Sequence, residues 1–309
     1  MSEPETPDIP RTDTRCGFVA LIGAPNAGKS TLINKLVGTK VAIVSHKVQT
    51  TRATVRGIVM AGSAQIIFVD TPGIFRPKRR LERAMVETAW GGARDADVVA
   101  LLIDAAAGIG DDARALIASL ADLSRPKVLL LNKIDLVPRE NLLALVDAAN
   151  KLVAFERTFL ISALTADGLA DFTVWLAGTL PEGPWLYPED EVSDLPLRQL
   201  AAEITREKML ERLHQELPYR ATVETDQWQE QKDGSVRIEQ TIFVERESQK
   251  KIVIGAGGAA IKSISMAARK DIARLAEQPV HLFLFVKVRE NWSDDPERYR
   301  AMGIEFPKD

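Results

Sequence analysis

Eight consecutive residues, Gly23-Ala24-Pro25-Asn26-Ala27-Gly28-Lys29-Ser30, constrain this chain more than any other stretch. They fit G-x-x-x-x-G-K-[ST] and follow the apolar run Phe18-Val19-Ala20-Leu21-Ile22. A strand, a tight Gly-rich loop and a helix in that order form a phosphate cradle. The glycines let the backbone curl until successive N–H groups face inward, and the helix aims its positive end at the anion. Lys29 is positioned to reach the β- and γ-phosphates, Ser30 to offer its hydroxyl to Mg²⁺, and Thr31 to continue the helical pattern over Lys29–Val37 beside them.

Three later segments indicate which base such a site reads. Asp70-Thr71-Pro72-Gly73 ends the apolar run Ile66-Ile67-Phe68-Val69. A carboxylate there can hold Mg²⁺ through water, and the Gly73 N–H can sense a γ-phosphate. Asn132-Lys133-Ile134-Asp135 ends a second buried run, Val128-Leu129-Leu130-Leu131. Asp135 can accept from both N1–H and the exocyclic amine of guanine, a donor pair adenine lacks. Asn132 and Lys133 can tie the base loop to the phosphate loop and cover the ring. Ser162-Ala163-Leu164 closes a third strand pattern and puts a backbone N–H near guanine O6. Any one of these is weak; all four in order, each at a strand end, imply a site for GTP/GDP with Mg²⁺.

Gln49-Thr50-Thr51-Arg52 lies where the Mg²⁺-sensing loop belongs, and Thr51 is favoured over Thr50 as the hydroxyl ligand. Gln49 and Arg52 read equally as direct contributors or as polar surface-loop residues. The position that carries a water-orienting Gln in Ras-like enzymes holds Ile74, which cannot do that work, and no arginine finger can be named. Asn26 is therefore the candidate to hold a monovalent cation, K⁺, beside the phosphates; shaping the loop is its simpler use. Lys29, Asn26, Thr51 and Gly73 are the expected catalytic set.

The 309 residues leave room for two domains. A net charge of −3 gives no global attraction to nucleic acid or membrane, so any such surface must be local. One cysteine, Cys16, excludes an internal disulfide and suits a reducing cytoplasm, and His46, His214 and His281 form no metal cluster. Nothing approaches the apolar length of a membrane span. Residues 1–15 are rich in Pro, Thr and acids, lack an apolar core segment, and are expected to be a disordered tail rather than a targeting peptide.

Strand runs alternate with helices expected over 81–94, 111–124, 141–152 and 168–180. This predicts an α/β domain over 16–181, a mostly parallel, doubly wound sheet with ligand loops at the strands' C-terminal ends. A turn-rich acidic linker over 182–196 follows, in which Trp185 and Tyr187 are expected to pack on a domain face. Residues 197–290 then read as an α+β domain: a helix over 197–215, a hairpin turning at Lys232-Asp233-Gly234, a helix over 249–254, Gly255-Ala256-Gly257-Gly258, a helix over 259–275 and a strand over 280–288. Residues 291–309 are left as a tail. Helix–GxxG–helix is the phosphate clamp of KH domains, which grips single-stranded nucleic acid. Lys250, Lys251, Lys262 and Arg269 surround it, with Arg246, Lys270 and Arg274 nearby against only Glu247 and Asp271.

The motifs of the first domain, followed by Arg206-Glu207-Lys208, Val244-Glu245-Arg246-Glu247 and Gln249-Lys250-Lys251 in the second, make the chain resemble the Era family of bacterial GTPases, from about 17 to 287. The resemblance implies a P-loop GTPase domain joined to a type-II KH domain. It also implies a cytoplasmic enzyme that binds small-subunit ribosomal RNA near its 3′ end and assists maturation of that subunit; a monomer is expected separately, since no heptad seam or dimer segment stands out in the sequence. Peripheral association with the inner membrane belongs to the same implication, and so does a nucleotide-dependent arrangement of the two domains. The clamp departs from the family pattern in carrying Ala256, Gly257, Ala259 and Ala260 where a Lys or another polar residue is usual. A flatter salt dependence of RNA binding is expected. An alternative reading keeps GTP chiefly as a structural ligand of an RNA-binding chaperone.

Overall fold

Continuous Val/Ile/Leu runs without alternation belong to strands covered by helices on both faces, and the first sheet is built from them. A computed structural model of the chain describes residues 13–290 apart from 46, 48, 49, 53, 78 and 214–216, together with 292, 295, 296, 299, 304 and 306. Strands β1 (Arg15–Gly23), β3 (Ala64–Asp70), β4 (Val98–Asp104) and β5 (Lys127–Asn132) are buried along most of their lengths. With β2 (Val55–Ala61) and β6 (Arg157–Leu160) they form a six-stranded sheet of order β2-β3-β1-β4-β5-β6, parallel except for β2. Alternate side chains of β1 enter two cores. Val19 and Leu21 meet Leu32 and Ile33 of α1 (Lys29–Val37) and Phe172 and Leu176 of α5 (Leu169–Thr179). Ala20 and Ile22 meet Ala93 of α2 (Arg80–Asp95), Leu116 and Ile117 of α3 (Asp111–Ala118) and Ala149 of α4 (Arg139–Asn150). The register pairs Leu21 with Asp70 and Asp104 with Asn132, so the motif loops leave the same edge of the sheet.

The second sheet has three strands, β7 (Ala221–Glu230), β8 (Val236–Val244) and β9 (Val280–Val288), with β7 antiparallel and β9 parallel to β8. One face packs on α6 (Leu197–Arg212) and α8 (Ala259–Ala276) through Met209, Ile242, Ile264, Ala268 and Ile272. The short α7 (Glu247–Ile254) and α8 flank the GxxG turn, giving the α-β-β-α-α-β order of a type-II KH domain. His281 is an exposed position of β9. Among the described residues no single helix is long and apolar enough to cross a membrane.

Five features differ from the expectations. The edge strand β2 has no counterpart in the sequence reading. Helix α3 stops at Ala118 rather than near 124, because tight bonds such as Leu120 N–H to Ile117 O and Leu123 N–H to Leu120 O take over. The linker is strapped to the outer edge of the first sheet: Ile58 N–H donates to Val192 O at 3.0 Å, and the Gln65 amide binds the backbone of Leu186 and Tyr187. Within the linker Trp185 and Tyr187 do lie against the first domain as expected, Trp185 donating to Ser63 O at 3.1 Å. The tail expected over 1–15 ends sooner: Arg15 opens β1 and Thr14 Oγ1 donates to Gly183 O at 2.9 Å. Finally, described residues beyond 290 pack inward. Tyr299, Ile304 and Phe306 cover Leu81, Ala84 and Met85 of α2, and buried Trp292 donates to Arg220 O. Residues 1–12, Gln49, His46 and His214 lie outside the described residues.

Candidate functional site

The phosphate loop leaves β1 and enters α1 with Asn26 at φ 63° and Gly28 at φ 103°. A Cβ on Gly28 would sit 2.2 Å from the Asn132 amide nitrogen, so no larger residue fits there. Lys29 is buried, and its ammonium donates to Gly23 O and Ala24 O, both at 3.1 Å. Burial lowers its pKa to about 8, against the opposing pull of Asp70. The loop carbonyls occupy the ammonium where phosphate oxygens would.

Asp70 ends β3 fully buried. Its Oδ2 accepts from Ser30 Oγ at 2.8 Å and from Thr51 Oγ1 at 3.3 Å, and the two hydroxyls are 2.9 Å apart. Its Oδ1 is buried with no hydrogen-bond partner. Burial raises its pKa, while Lys29 and the two hydroxyls oppose that shift. A buried carboxylate with an orphaned oxygen and two converging hydroxyls is a hard, all-oxygen donor set, and it fits Mg²⁺. Among the described residues no three His, Cys, Asp or Glu side chains cluster to suit a softer metal. Thr51 faces this point; Thr50 instead donates to Lys47 O at 2.6 Å within its own loop.

Gly73 crosses directly over the phosphate loop. A Cβ on it would lie 2.8 Å from Pro25 N, and the next residue's N–H donates to Gly23 O at 3.0 Å. Ile74 packs into the apolar cluster beneath the sheet and turns no polar group toward the cleft. Thr71 was expected among the nucleotide-binding residues, but its hydroxyl is buried and donates to Leu21 O at 2.9 Å, away from the cleft. Pro72 is buried beside it.

Asn132 joins three motifs. Its amide donates to Ala27 O at 2.8 Å, and its carbonyl accepts from Ala163 N–H at 2.9 Å. Of the backbone N–H groups in Ser162-Ala163-Leu164, that of Ala163 is thus engaged within the protein. Ser162 shapes the same turn, its hydroxyl accepting from Thr165 N–H. Lys133, at φ 66°, pairs with Asp104 at 2.5 Å and lines the cleft, and Asp135, two residues on, is exposed. Pro25, Asn26, Gly28, Lys29, Ser30, Thr31, Thr51, Gly73 and Lys133 line one open cleft.

Arg52 is not a surface-loop residue. It is 2% exposed, donates to Ala221 O at 2.9 Å and lies over the Trp292 ring at 5.7 Å. The sequence offers no signal for this, since both partners are more than 160 residues away.

At the far end, Gly255 has φ 74° and leaves no space for a Cβ, which would meet Ala260 N at 2.8 Å. Gly257 and Gly258 are also left-handed, and Ala256 and Gly257 are exposed at the turn's tip. Lys250, Lys251 and Lys262 flank the turn. Arg269 is exposed on α8 but about 16 Å along the helix from Gly258, at 1.5 Å per residue. Asp271 is committed to Lys208 at 2.8 Å and Arg274 at 3.7 Å.

A family model described as a 50S ribosome-binding GTPase matches residues 18–133, and a KH-domain model matches 216–293. The chain is 70% identical to GTPase Era of Rhizobium meliloti (strain 1021) over 96% of this chain and 94% of that relative. It is 64% identical to GTPase Era of Agrobacterium fabrum (strain C58) over 100% of this chain and 98% of that one. A crystal structure of Era with MgGDPNP and nucleotides 1506–1542 of 16S ribosomal RNA superposes with a TM-score of 0.88 at 39% identity, covering 94% of this chain and 99% of that one. A single-residue variant of Aquifex aeolicus Era bound to GDP·AlF4⁻ gives the same values.

Proposed function

Because the chain belongs to the Era family of bacterial GTPases, we propose that it is a GTP-hydrolysing switch. Its KH domain would bind small-subunit ribosomal RNA near the 3′ end and assist maturation of that subunit. The observation that carries the GTPase half is the meeting of Ser30, Thr51 and the orphaned Asp70 Oδ1 beside Lys29. The RNA half rests on the exposed, cation-flanked GxxG turn and on the related Era that was crystallised with 16S ribosomal RNA. The large-subunit description of one family model covers the G domain alone, whereas the related Era that was crystallised with 16S ribosomal RNA matches both domains and supports the small subunit.

The division of labour follows the chain: G domain over 16–181, linker over 182–196 and KH domain over 197–290. Mg²⁺ bound by Ser30, Thr51 and, through water, Asp70 would neutralise charge on the β- and γ-phosphates. Lys29 exchanges its bonds to Gly23 O and Ala24 O for phosphate oxygens. Gly73 N–H donates to the γ-phosphate, and Asp135 accepts from both guanine donors. Ile74 orients no water, so positive charge must come from elsewhere; Asn26, already at a left-handed position at the mouth of the loop, would hold K⁺ there. Gly255–Gly258 and Lys250, Lys251 and Lys262 grip the RNA backbone, with Arg269 left for a more distant phosphate.

Multiple-turnover GTP hydrolysis, with and without small ribosomal subunits, tests this reading. Stimulated turnover supports the switch, and tight GTP binding without turnover would favour the chaperone alternative. Cytoplasmic location and peripheral inner-membrane association rest on the family resemblance, and a monomeric state on the lack of a heptad seam in the sequence. Fractionation tests the first, flotation with anionic vesicles the second, and light scattering the third.

A further inference from the structure

Arg206-Glu207-Lys208 has no task in either the nucleotide cleft or the RNA clamp. Yet Arg206 and Glu207 are 1% and 3% exposed, and charged side chains are almost never buried so deeply without partners. Their partners lie on the loop that carries Thr51. One Glu207 oxygen accepts from Val44 N–H at 2.9 Å; the other pairs with Lys40 and, at 3.0 Å, with Lys208. Arg206 donates to Thr50 O and pairs with Glu203. One helix of the KH domain thus holds the loop at both ends, through groups that do not depend on the loop's side chains. Val44 is itself 40% exposed, so apolar burial does little to fix that end.

A third anchor runs the other way. Arg52 leaves the loop and enters the KH domain, bonding to Ala221 O at the start of β7. Thr51 therefore sits between Thr50 and Arg52, each tied to the other domain, while its own hydroxyl meets Ser30 and Asp70. Freeing either neighbour would let that hydroxyl leave the Mg²⁺ position.

We propose that Arg206 and Glu207 are positioning residues for the GTP site. The KH domain supplies them, and they hold the backbone at Val44 and Thr50 so that the adjacent Thr51 hydroxyl stays at Ser30 and Asp70. The inference rests on the GTP-site reading above and adds to it a regulator in the other domain. A nucleotide with a γ-phosphate and Mg²⁺ draws on the Thr51 hydroxyl at this position, whereas GDP is held chiefly by the phosphate loop and the Asn132–Asp135 segment. Loss of the anchors should therefore weaken one nucleotide and spare the other.

The test uses the full-length chain, fluorescent GDPNP and fluorescent GDP, titrated across Mg²⁺ concentrations. Glu207→Ala should lose on the order of tenfold in GDPNP affinity, the worth of a hydrogen bond to a charged group, while GDP affinity stays within about twofold and half-saturating Mg²⁺ rises. Glu207→Gln keeps a carbonyl acceptor for the Val44 N–H and should recover most of the loss, which a general packing defect would not allow. If Glu207→Ala does not fold, Arg206→Lys carries the same comparison, since it keeps the charge but not the reach to Thr50 O. Equal losses for both nucleotides, or none for either, overturn the proposal. An unaltered chain that binds neither nucleotide overturns the GTP-site reading and this inference with it; an unaltered chain that binds both, with unselective variants, overturns this inference alone.

Discussion

Replacing Asn132 by Ala separates a loop-tying role from a base-contacting one. In the fold Asn132 is 1% exposed and makes two bonds, to Ala27 O at 2.8 Å and from Ala163 N–H at 2.9 Å. Truncation strands a backbone carbonyl in the phosphate loop and a backbone N–H in the Ser162–Ala163 turn. Each orphaned group costs about 1–3 kcal/mol where water cannot reach. The adjoining cleft admits some water, which puts the pair at roughly 2–4 kcal/mol. For a domain of this size that corresponds to a Tm lower by roughly 6–10 °C. The assay is thermal unfolding followed by circular dichroism, in EDTA and without nucleotide, so that no base is present to contribute. A nucleotide-free Tm within about 1 °C of the parent, together with lost GTP affinity, would refute the tie and leave only a contact to the base.

Other consequences follow from the same geometry. Thr51→Ala should raise the Mg²⁺ needed for GDPNP binding at least several-fold, whereas Thr50→Ala, whose hydroxyl is spent on Lys47 O, should change it little; titration of both variants checks this. In the free protein Lys29 has a pKa lowered to about 8 by burial, and a bound phosphate raises it again. Binding then takes up a proton above that pH, so GDP affinity measured in EDTA should be flat between about pH 7 and 8, where the terminal phosphate is already ionised, and fall by up to about tenfold per unit above it. A flat profile to pH 9.5 would contradict this. GTP turnover should be faster in K⁺ than in Na⁺ at equal ionic strength, and Asn26→Ala should abolish the difference; an unchanged cation response in that variant removes Asn26 from the role.

Much of the fold was legible because its determinants are local. Continuous apolar runs such as Val128-Leu129-Leu130-Leu131 declare a strand buried on both faces, and the glycine at 28 declares a loop that another side chain must touch. The Asp-Gly turn between β7 and β8 and the GxxG turn declare themselves through backbone conformations that glycine favours. β2 was not legible: Val55-Arg56-Gly57-Ile58 mixes exposed and buried positions at a sheet edge, and its outer partner is the linker, more than 130 residues on. The direction of the Thr71 hydroxyl depends on Leu21 O of a neighbouring strand, which no spacing reveals. Arg52 looked like a polar loop residue because its partners Ala221 and Trp292 come together only when both domains are folded. The inward packing of Tyr299 and Ile304 on α2 was hidden for the same reason.

The proposed RNA-binding function places this GTPase on the 3′ end of small-subunit ribosomal RNA. In-cell crosslinking of the tagged chain, with sequencing of the attached RNA, tests it most directly. A dominant peak at that 3′ end is expected, lost when Lys250, Lys251 and Lys262 are replaced by Ala. A diffuse profile, or a peak on large-subunit RNA, would contradict it.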